Sequence, residues 1–172
     1  MRFNVSQLLK AAVATSRQHE LEEDISAIDP DLEPIAPLVG MVRFLRTTDG
    51  ILVTGRLHTE VRVPCRRCLQ GFCHSIDLSL EEEFRPSLDV NTGAALPPED
   101  GEDSVTVVDS HHMLDLTEVV RQNLVLATPM SPLCDPRCRG LCPHCGANLN
   151  TEPCACSDQK GDPRLAVLRQ WS

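Results

Sequence analysis

The sequence predicts an α+β protein: an antiparallel β-sheet or partly closed barrel, a packing helix, and a cysteine-rich C-terminal tail. Three observations carry this. Apolar and polar side chains alternate with period two from Ile51 to Cys65. Apolar residues recur at helical spacing from Leu114 to Leu126. Six of the nine cysteines fall between Cys134 and Cys156.

The alternation puts Ile51, Val53, Gly55, Leu57, Thr59, Val61, Val63 and Cys65 on one face, and Thr54, Arg56, His58, Glu60 and Arg62 on the other. That is a strand with one buried and one wet face. Asp49-Gly50, between Val42–Leu45 and Ile51–Val53, signals a hairpin. A further strand is expected from Phe72 to Leu80, with Phe72, Ile76, Leu78 and Leu80 on one face. Val105–Val108 reads as another short strand. In the helix, Leu116, Val119, Val120 and Leu124 form the stripe, and Asp115 with Glu118 resembles a capping box. Pro129 ends it. A last short helix is expected after Asp162-Pro163, carrying Leu165, Val167 and Leu168. The chain thus divides into a β-rich core, residues 1–130, with its helix near 115–127, and a tail, residues 131–172, packed on that core.

Composition narrows the function. With 172 residues, 41% hydrophobic and 24% charged, the chain is globular, and it is too short for a large cofactor barrel. Its longest apolar run, Ile35 to Val42, contains a proline and a glycine and cannot span a bilayer. The net charge of −9 is concentrated: residues 81–110 hold nine acidic side chains and one basic. The middle of that stretch, Asn91 to Asp103, reads as a solvated acidic loop; the functional alternative is a surface that repels nucleic acid or meets a basic protein. Lys10 interrupts the first apolar run and Glu20, Glu22, Glu23 and Asp24 follow, so no export signal is read. A cytoplasmic setting keeps thiols reduced, and reduced cysteines at close spacing point to metal.

The cysteines form two groups. Cys65-Arg66-Arg67-Cys68 follows the long strand, and Cys134, Cys138, Cys142, Cys145, Cys154 and Cys156 occupy the tail. Cys142-Pro143-His144-Cys145-Gly146 has the form of a zinc knuckle, whose glycine permits the backbone turn. Structural zinc takes four thiolates in a tetrahedron, so eight cysteines supply two sites and leave Cys73 over. One partition joins Cys142, Cys145, Cys154 and Cys156 locally and pairs Cys65 and Cys68 with Cys134 and Cys138. The rival sets knuckle against knuckle, Cys65 and Cys68 with Cys142 and Cys145. Arg66, Arg67, Arg137 and Arg139 lie inside the clusters. Two tetrathiolate zinc sites carry a surplus of negative charge, which these arginines offset; their functional alternative is contact with RNA phosphate.

Other chemistries fit less well. Cys138, Cys142 and Cys145 match the spacing of radical enzymes that use S-adenosylmethionine, but 27 residues after Cys145 cannot build the barrel. An iron–sulfur carrier would use the same thiolates. A thiol–disulfide role for Cys65 and Cys68 lacks the following helix that depresses a reactive thiol. The six histidines form no catalytic pattern, and no nucleophile elbow or phosphate loop is present. No enzymatic activity is expected.

The run from Leu114-Asp115-Leu116-Thr117-Glu118 to Pro129, then Pro132-Leu133-Cys134, GLCPHCGANLN (Gly140 to Asn150), Cys154-x-Cys156 and DPRLAVL (Asp162 to Leu168), resembles the YceD family. Val63-Pro64-Cys65-Arg66-Arg67-Cys68 and the opening pattern around Leu8-Leu9 are similar too, so the likeness spans nearly the whole chain. Members are called large ribosomal RNA subunit accumulation proteins, and those with the C-terminal cysteines are often labelled metal- and nucleic-acid-binding. The resemblance implies a non-enzymatic factor supporting synthesis, processing or stability of large-subunit rRNA, with zinc as cofactor. Its partner would be that rRNA, met directly or through a ribosomal protein, with no membrane and no small-molecule substrate. Arg66, Arg67, Arg137, Arg139, Lys160 and Arg164 are the candidates for RNA contact, from charge and position. The competing expectations are a zinc-stabilised protein–protein interaction module unrelated to ribosomes, and a metal-dependent enzyme acting on RNA or thiols.

Overall fold

The computed structural model describes residues 1–97 and 104–156. Along the chain run β1 (Arg2–Asn4), α1 (Ser6–Leu9), β2 (Ser16–Glu23), β3 (Glu33–Pro34), β4 (Leu38–Arg46), β5 (Ile51–Pro64), β6 (Gly71–Pro86), a 3-10 turn (Ser104–Thr106), β7 (Val107–Val108), β8 (Met113–Asp115) and α2 (Thr117–Ala127). The protein is therefore mostly sheet with few helices. Among the described residues two compact units emerge: Met1–Val63 with Cys73–Met130, and Pro64–Phe72 with residues 131–156.

The main sheet has the order β2-β4-β5-β6-β7, with β3 paired to β5 off that path. It is open and mixed, so the partly closed barrel does not form. β2 and β7 are the edges: β2 pairs with β4, antiparallel, and the two-residue β7 pairs with the end of β6, parallel. A separate pairing joins β1 to β8, antiparallel, with Phe3 opposite Leu114.

The period-two reading of β5 holds: Ile51, Val53, Leu57, Thr59, Val61, Val63 and Cys65 are buried. Thr59, the polar residue on that face, donates its hydroxyl to the Ala36 carbonyl at 2.9 Å, so nothing buried is left unpaired there. The β4–β5 hairpin sets Arg46 opposite Ile51 around Asp49-Gly50. Gly50 is required for a reason other than turn conformation. A Cβ there would lie 2.1 Å from the carbonyl oxygen of Phe84 on β6, so the two backbones meet where only glycine fits.

Three boundaries and one strand differ from the sequence reading. β6 runs on past Leu80 through Glu81-Glu82-Glu83, because Phe84 keeps the inward alternation and is fully buried. The Val105–Val108 strand shrinks to β7, preceded by the 3-10 turn. The helix starts at Thr117, since Met113–Asp115 pair as β8. Asp115 accepts the Thr117 N–H at 2.9 Å, but Glu118 turns to Arg121 and makes no reciprocal cap. β2 is absent from the sequence reading. Its composition is polar because an edge strand buries little, here chiefly Leu21.

α2 buries Val119, Val120 and Leu124, with Leu116 before it. It stops at Thr128 (φ −70°, ψ 124°), which the ring of Pro129 pushes out of the helical region. Arg121 on α2 binds Asp29 at 2.8 Å and Glu118 at 2.6 Å. Among the described residues no helix is long and apolar enough to cross a membrane. Part of the acidic loop, and the expected helix after Pro163, lie outside the described residues.

Candidate metal centre

The second unit has an unusual interior. Its buried residues, among those described, are Cys65, Cys68, Cys138, Gly140 and Cys142. Phe72 and Leu133, both partly buried, pack against the first three of those cysteines. An interior made of thiols and two apolar side chains cannot bury enough surface to order this many residues by itself.

Two turns of the same design supply half the sulfurs. In Cys65–Gln70, the Cys65 N–H donates to the Gln70 carbonyl (2.9 Å) and the Leu69 N–H to the Cys65 carbonyl (2.8 Å). In Cys142–Ala147, the Cys142 N–H donates to the Ala147 carbonyl (2.8 Å) and the Gly146 N–H to the Cys142 carbonyl (2.9 Å). Gly146 sits at φ 74°, the left-handed conformation expected of it. Such a turn aims two sulfurs, three residues apart, at one point.

The remaining sulfurs complete two tetrads: Cys65, Cys68, Cys134 and Cys138, and Cys142, Cys145, Cys154 and Cys156. Within each, all four sulfur atoms lie within 4.8 Å of one another. Cys65 and Cys138 are 3.8 Å apart, Cys68 and Cys134 3.6 Å. In the second tetrad Cys154 is 3.3 Å from Cys142 and 3.6 Å from Cys145. Four sulfurs at 2.3 Å from one ion would be separated by about 3.8 Å. All nine cysteines are free thiols. Each tetrad could hold a metal ion. The arrangement follows the local partition and not the knuckle-to-knuckle one.

The electrostatics fit a cation. Backbone N–H groups of Cys134 and Cys68, then of Arg67, stabilise the Cys65 thiolate and lower its pKa to about 6. The N–H groups of Cys145 and His144 do the same for Cys142, also to about 6. Cys134 is pushed up to about 12, by desolvation of its sulfur and then by hydrogen bonds with Cys65, Cys68 and Cys138, although its outer edge is exposed. Cys156 is pushed up to about 12 by its contacts with Cys154 and Cys145. Each tetrad therefore releases one proton readily and resists full ionisation until positive charge arrives.

The predicted arginines divide. The Arg67 guanidinium donates to the Cys138 carbonyl at 3.0 Å and the Pro136 carbonyl at 3.4 Å, and Arg66 donates to the Ser131 hydroxyl. Both thus brace the loop carrying Cys134 and Cys138. Arg137 and Arg139 are exposed, and their guanidinium groups have no polar partner among the described residues. Lys160 and Arg164 lie outside the described residues. Sequence reasoning missed Asn148 and Asn150. The Asn150 side-chain amide donates to the Cys138 sulfur at 3.3 Å and to the Asn148 side-chain oxygen at 2.8 Å. Its own side-chain oxygen takes the Arg139 N–H at 2.7 Å. The signal was the asparagine pair in Gly146-Ala147-Asn148-Leu149-Asn150, since Asn side chains bond readily to nearby backbone.

Comparison with known proteins supports the family resemblance. Residues 53–171 match a family described as Large ribosomal RNA subunit accumulation protein YceD. Uncharacterized proteins of Mycobacterium bovis and Mycobacterium tuberculosis are each 34% identical over 128 residues, 74% of this chain and 58% of theirs. A Zea mays protein named Large ribosomal RNA subunit accumulation protein YCED homolog 1, chloroplastic, is 30% identical over 146 residues, 72% of this chain and 50% of its own. The chain thus spans between half and three fifths of the length of these relatives. No solved structure matches.

Proposed function

The chain belongs to the YceD family, and from that premise we propose that it is a non-enzymatic factor supporting accumulation of large-subunit ribosomal RNA, with structural zinc in both tetrads. The observation that carries the metal is the thiol interior of the second unit. Thiolates select soft or borderline ions, and four of them fill the shell of tetrahedral zinc. Zinc so bound supplies positive charge and fixed geometry, with no position left for a reacting water. The chain's own part is to turn the knuckles, point N–H groups at the sulfurs, and brace the loops through Arg67 and Asn150.

Contact with the RNA falls to Arg137 and Arg139, whose guanidinium groups have no polar partner among the described residues. The acidic stretch, residues 81–110, favours a second route through a basic ribosomal protein. The poverty of aromatic side chains, 3%, argues against a stacking platform for single strands. A reducing compartment such as the cytoplasm, which keeps thiols available to metal, suits this reading.

The test has two parts. Protein purified under reducing conditions should contain two zinc equivalents by elemental analysis. Depleting it in cells should lower large-subunit rRNA relative to small-subunit rRNA, and crosslinking should recover that RNA or a large-subunit ribosomal protein. An unchanged rRNA ratio on depletion would sink the assignment.

A further inference from the structure

Resting on the reading that both tetrads hold zinc, we propose that the second tetrad is an oxidation site. Peroxide joins Cys154 to Cys145 or Cys142 as a disulfide and frees the metal of that tetrad, while the first tetrad keeps its own.

The two tetrads differ in access. In the first, Cys65, Cys68 and Cys138 are buried and only Cys134 is exposed. In the second, only Cys142 is buried; Cys145 and Cys156 are exposed and Cys154 is intermediate. Oxidation of cysteine follows thiolate character and exposure, so the outer set reacts first.

They also differ in how the backbone is held. The first tetrad sits on segments tied by Cys65 N–H to Gln70, Arg66 N–H to Pro132 and Cys138 N–H to Asp135. Arg67 and Asn150 add side-chain bonds to the Cys138 loop. The segment 153–156 makes no backbone–backbone hydrogen bond among the described residues, and Pro153 has no N–H to give. Among the described residues, no backbone bond of this segment holds Cys154 back from its neighbours. Its sulfur already lies 3.3 Å from Cys142 and 3.6 Å from Cys145, so a bond of about 2.05 Å needs an approach of roughly 1.3–1.6 Å.

The chemistry balances. The exposed Cys145 thiolate attacks one peroxide oxygen, the O–O bond breaks, hydroxide leaves, and a sulfenic acid forms. The Cys154 thiolate then attacks that sulfur, the S–O bond breaks, and a second hydroxide leaves. Attack by Cys142 in place of Cys145 gives the same sum. Two thiolates have lost two electrons, hydrogen peroxide has gained them, and the tetrad has lost two of four donors.

The experiment uses the full chain with Cys73→Ser, which removes the ninth thiol, loaded with zinc under reducing conditions. Hydrogen peroxide is titrated in, released zinc is followed with a chromogenic chelator, and disulfides are mapped by alkylation and mass spectrometry. The expected result is release of one equivalent at a peroxide dose at least tenfold below that needed for the other, with Cys154 in the disulfide. Cys154→Ser, which removes a ligand of that tetrad, should start one equivalent lower, and its remaining zinc should still need the higher peroxide dose. Release of both equivalents together, early loss from the Cys65 tetrad, or a first disulfide lacking Cys154 overturns the inference and leaves the metal reading standing. A starting content below two equivalents overturns the metal reading and this inference with it.

Discussion

Leu69 and Gly146 hold the same position in two copies of one turn: each donates its N–H to the carbonyl of the cysteine four residues earlier, and each has a left-handed backbone, φ 60° and 74°. One copy uses the residue suited to that conformation. The other uses a leucine that is 67% exposed.

The asymmetry gives a stability test. Gly146→Leu should cost about 1–2 kcal/mol, the steric penalty of a side chain in that region. Leu69→Gly should leave stability within about 1 kcal/mol of wild type, because relief of strain and the flexibility of glycine in the unfolded chain oppose each other. Denaturant unfolding of zinc-loaded protein measures both. A loss above about 2 kcal/mol for Leu69→Gly would show that the leucine side chain supports the turn.

Metal content should follow the tetrads. Cys68→Ser and Cys145→Ser should each lose one zinc equivalent, and Cys73→Ser none. A structural site of this type contributes about 10–16 kcal/mol in small zinc-finger peptides at neutral pH. A strong chelator should therefore unfold the second unit, whose interior is largely sulfur, and leave the strand signal in far-ultraviolet circular dichroism, since the main sheet has an apolar core of its own.

Acid sensitivity should depend on Arg121. The Asp29 carboxyl is held below its ordinary value by the Asp31 N–H and then by Arg121, and Glu118 chiefly by Arg121. Carboxylates depressed in the folded state stabilise it above their unfolded values, near 3.8 and 4.5, and that stability is lost as pH falls through the folded ones. Arg121→Gln should thus lower the unfolding midpoint at pH 7 and do so much less at pH 3. Subtracting variant from wild type at each pH cancels the pH dependence of the thiolate sites. An equal difference at both pH values would count against the linkage.

Gly50→Ala should destabilise by about 1–3 kcal/mol, the usual range for forcing atoms into a filled site. The new methyl would meet the Phe84 carbonyl, a backbone atom that cannot swing aside. A neutral result in thermal unfolding would mean that β5 and β6 can separate at that point without loss.

If Arg137 and Arg139 face phosphate, Arg137→Ala with Arg139→Ala should flatten the salt dependence of RNA binding, with a slope change of up to about 2 in the log–log plot. The zinc content should stay at two equivalents. Binding that keeps its slope would shift the contact to the protein-bridged route.

The sequence was most informative where one interaction dominates. β5 was legible because burial on one face imposes alternation over fourteen residues. The eight sulfurs were legible from their close pairwise spacing, and the glycine of the second knuckle marks its turn; their partition stayed open between two arrangements because only the second tetrad is local. β2 was illegible because an edge strand has little to bury. The start of α2 was misplaced because Met113–Asp115 are claimed by β1, a partner more than 100 residues away that no local pattern reveals. The same holds for Arg67, whose use as a brace depends on where the Cys138 loop arrives.

The split ligand set of the first tetrad bears on how the protein is made. When Cys68 is added to the growing chain, its partner Cys134 is still 66 residues from synthesis. At about 5–20 residues per second, that interval lasts about 3–13 s. Throughout it, the first knuckle waits on the nascent chain with two reactive sulfurs and no means of completing its shell. The second tetrad is encoded within 15 consecutive residues, Cys142 to Cys156, and has no such delay.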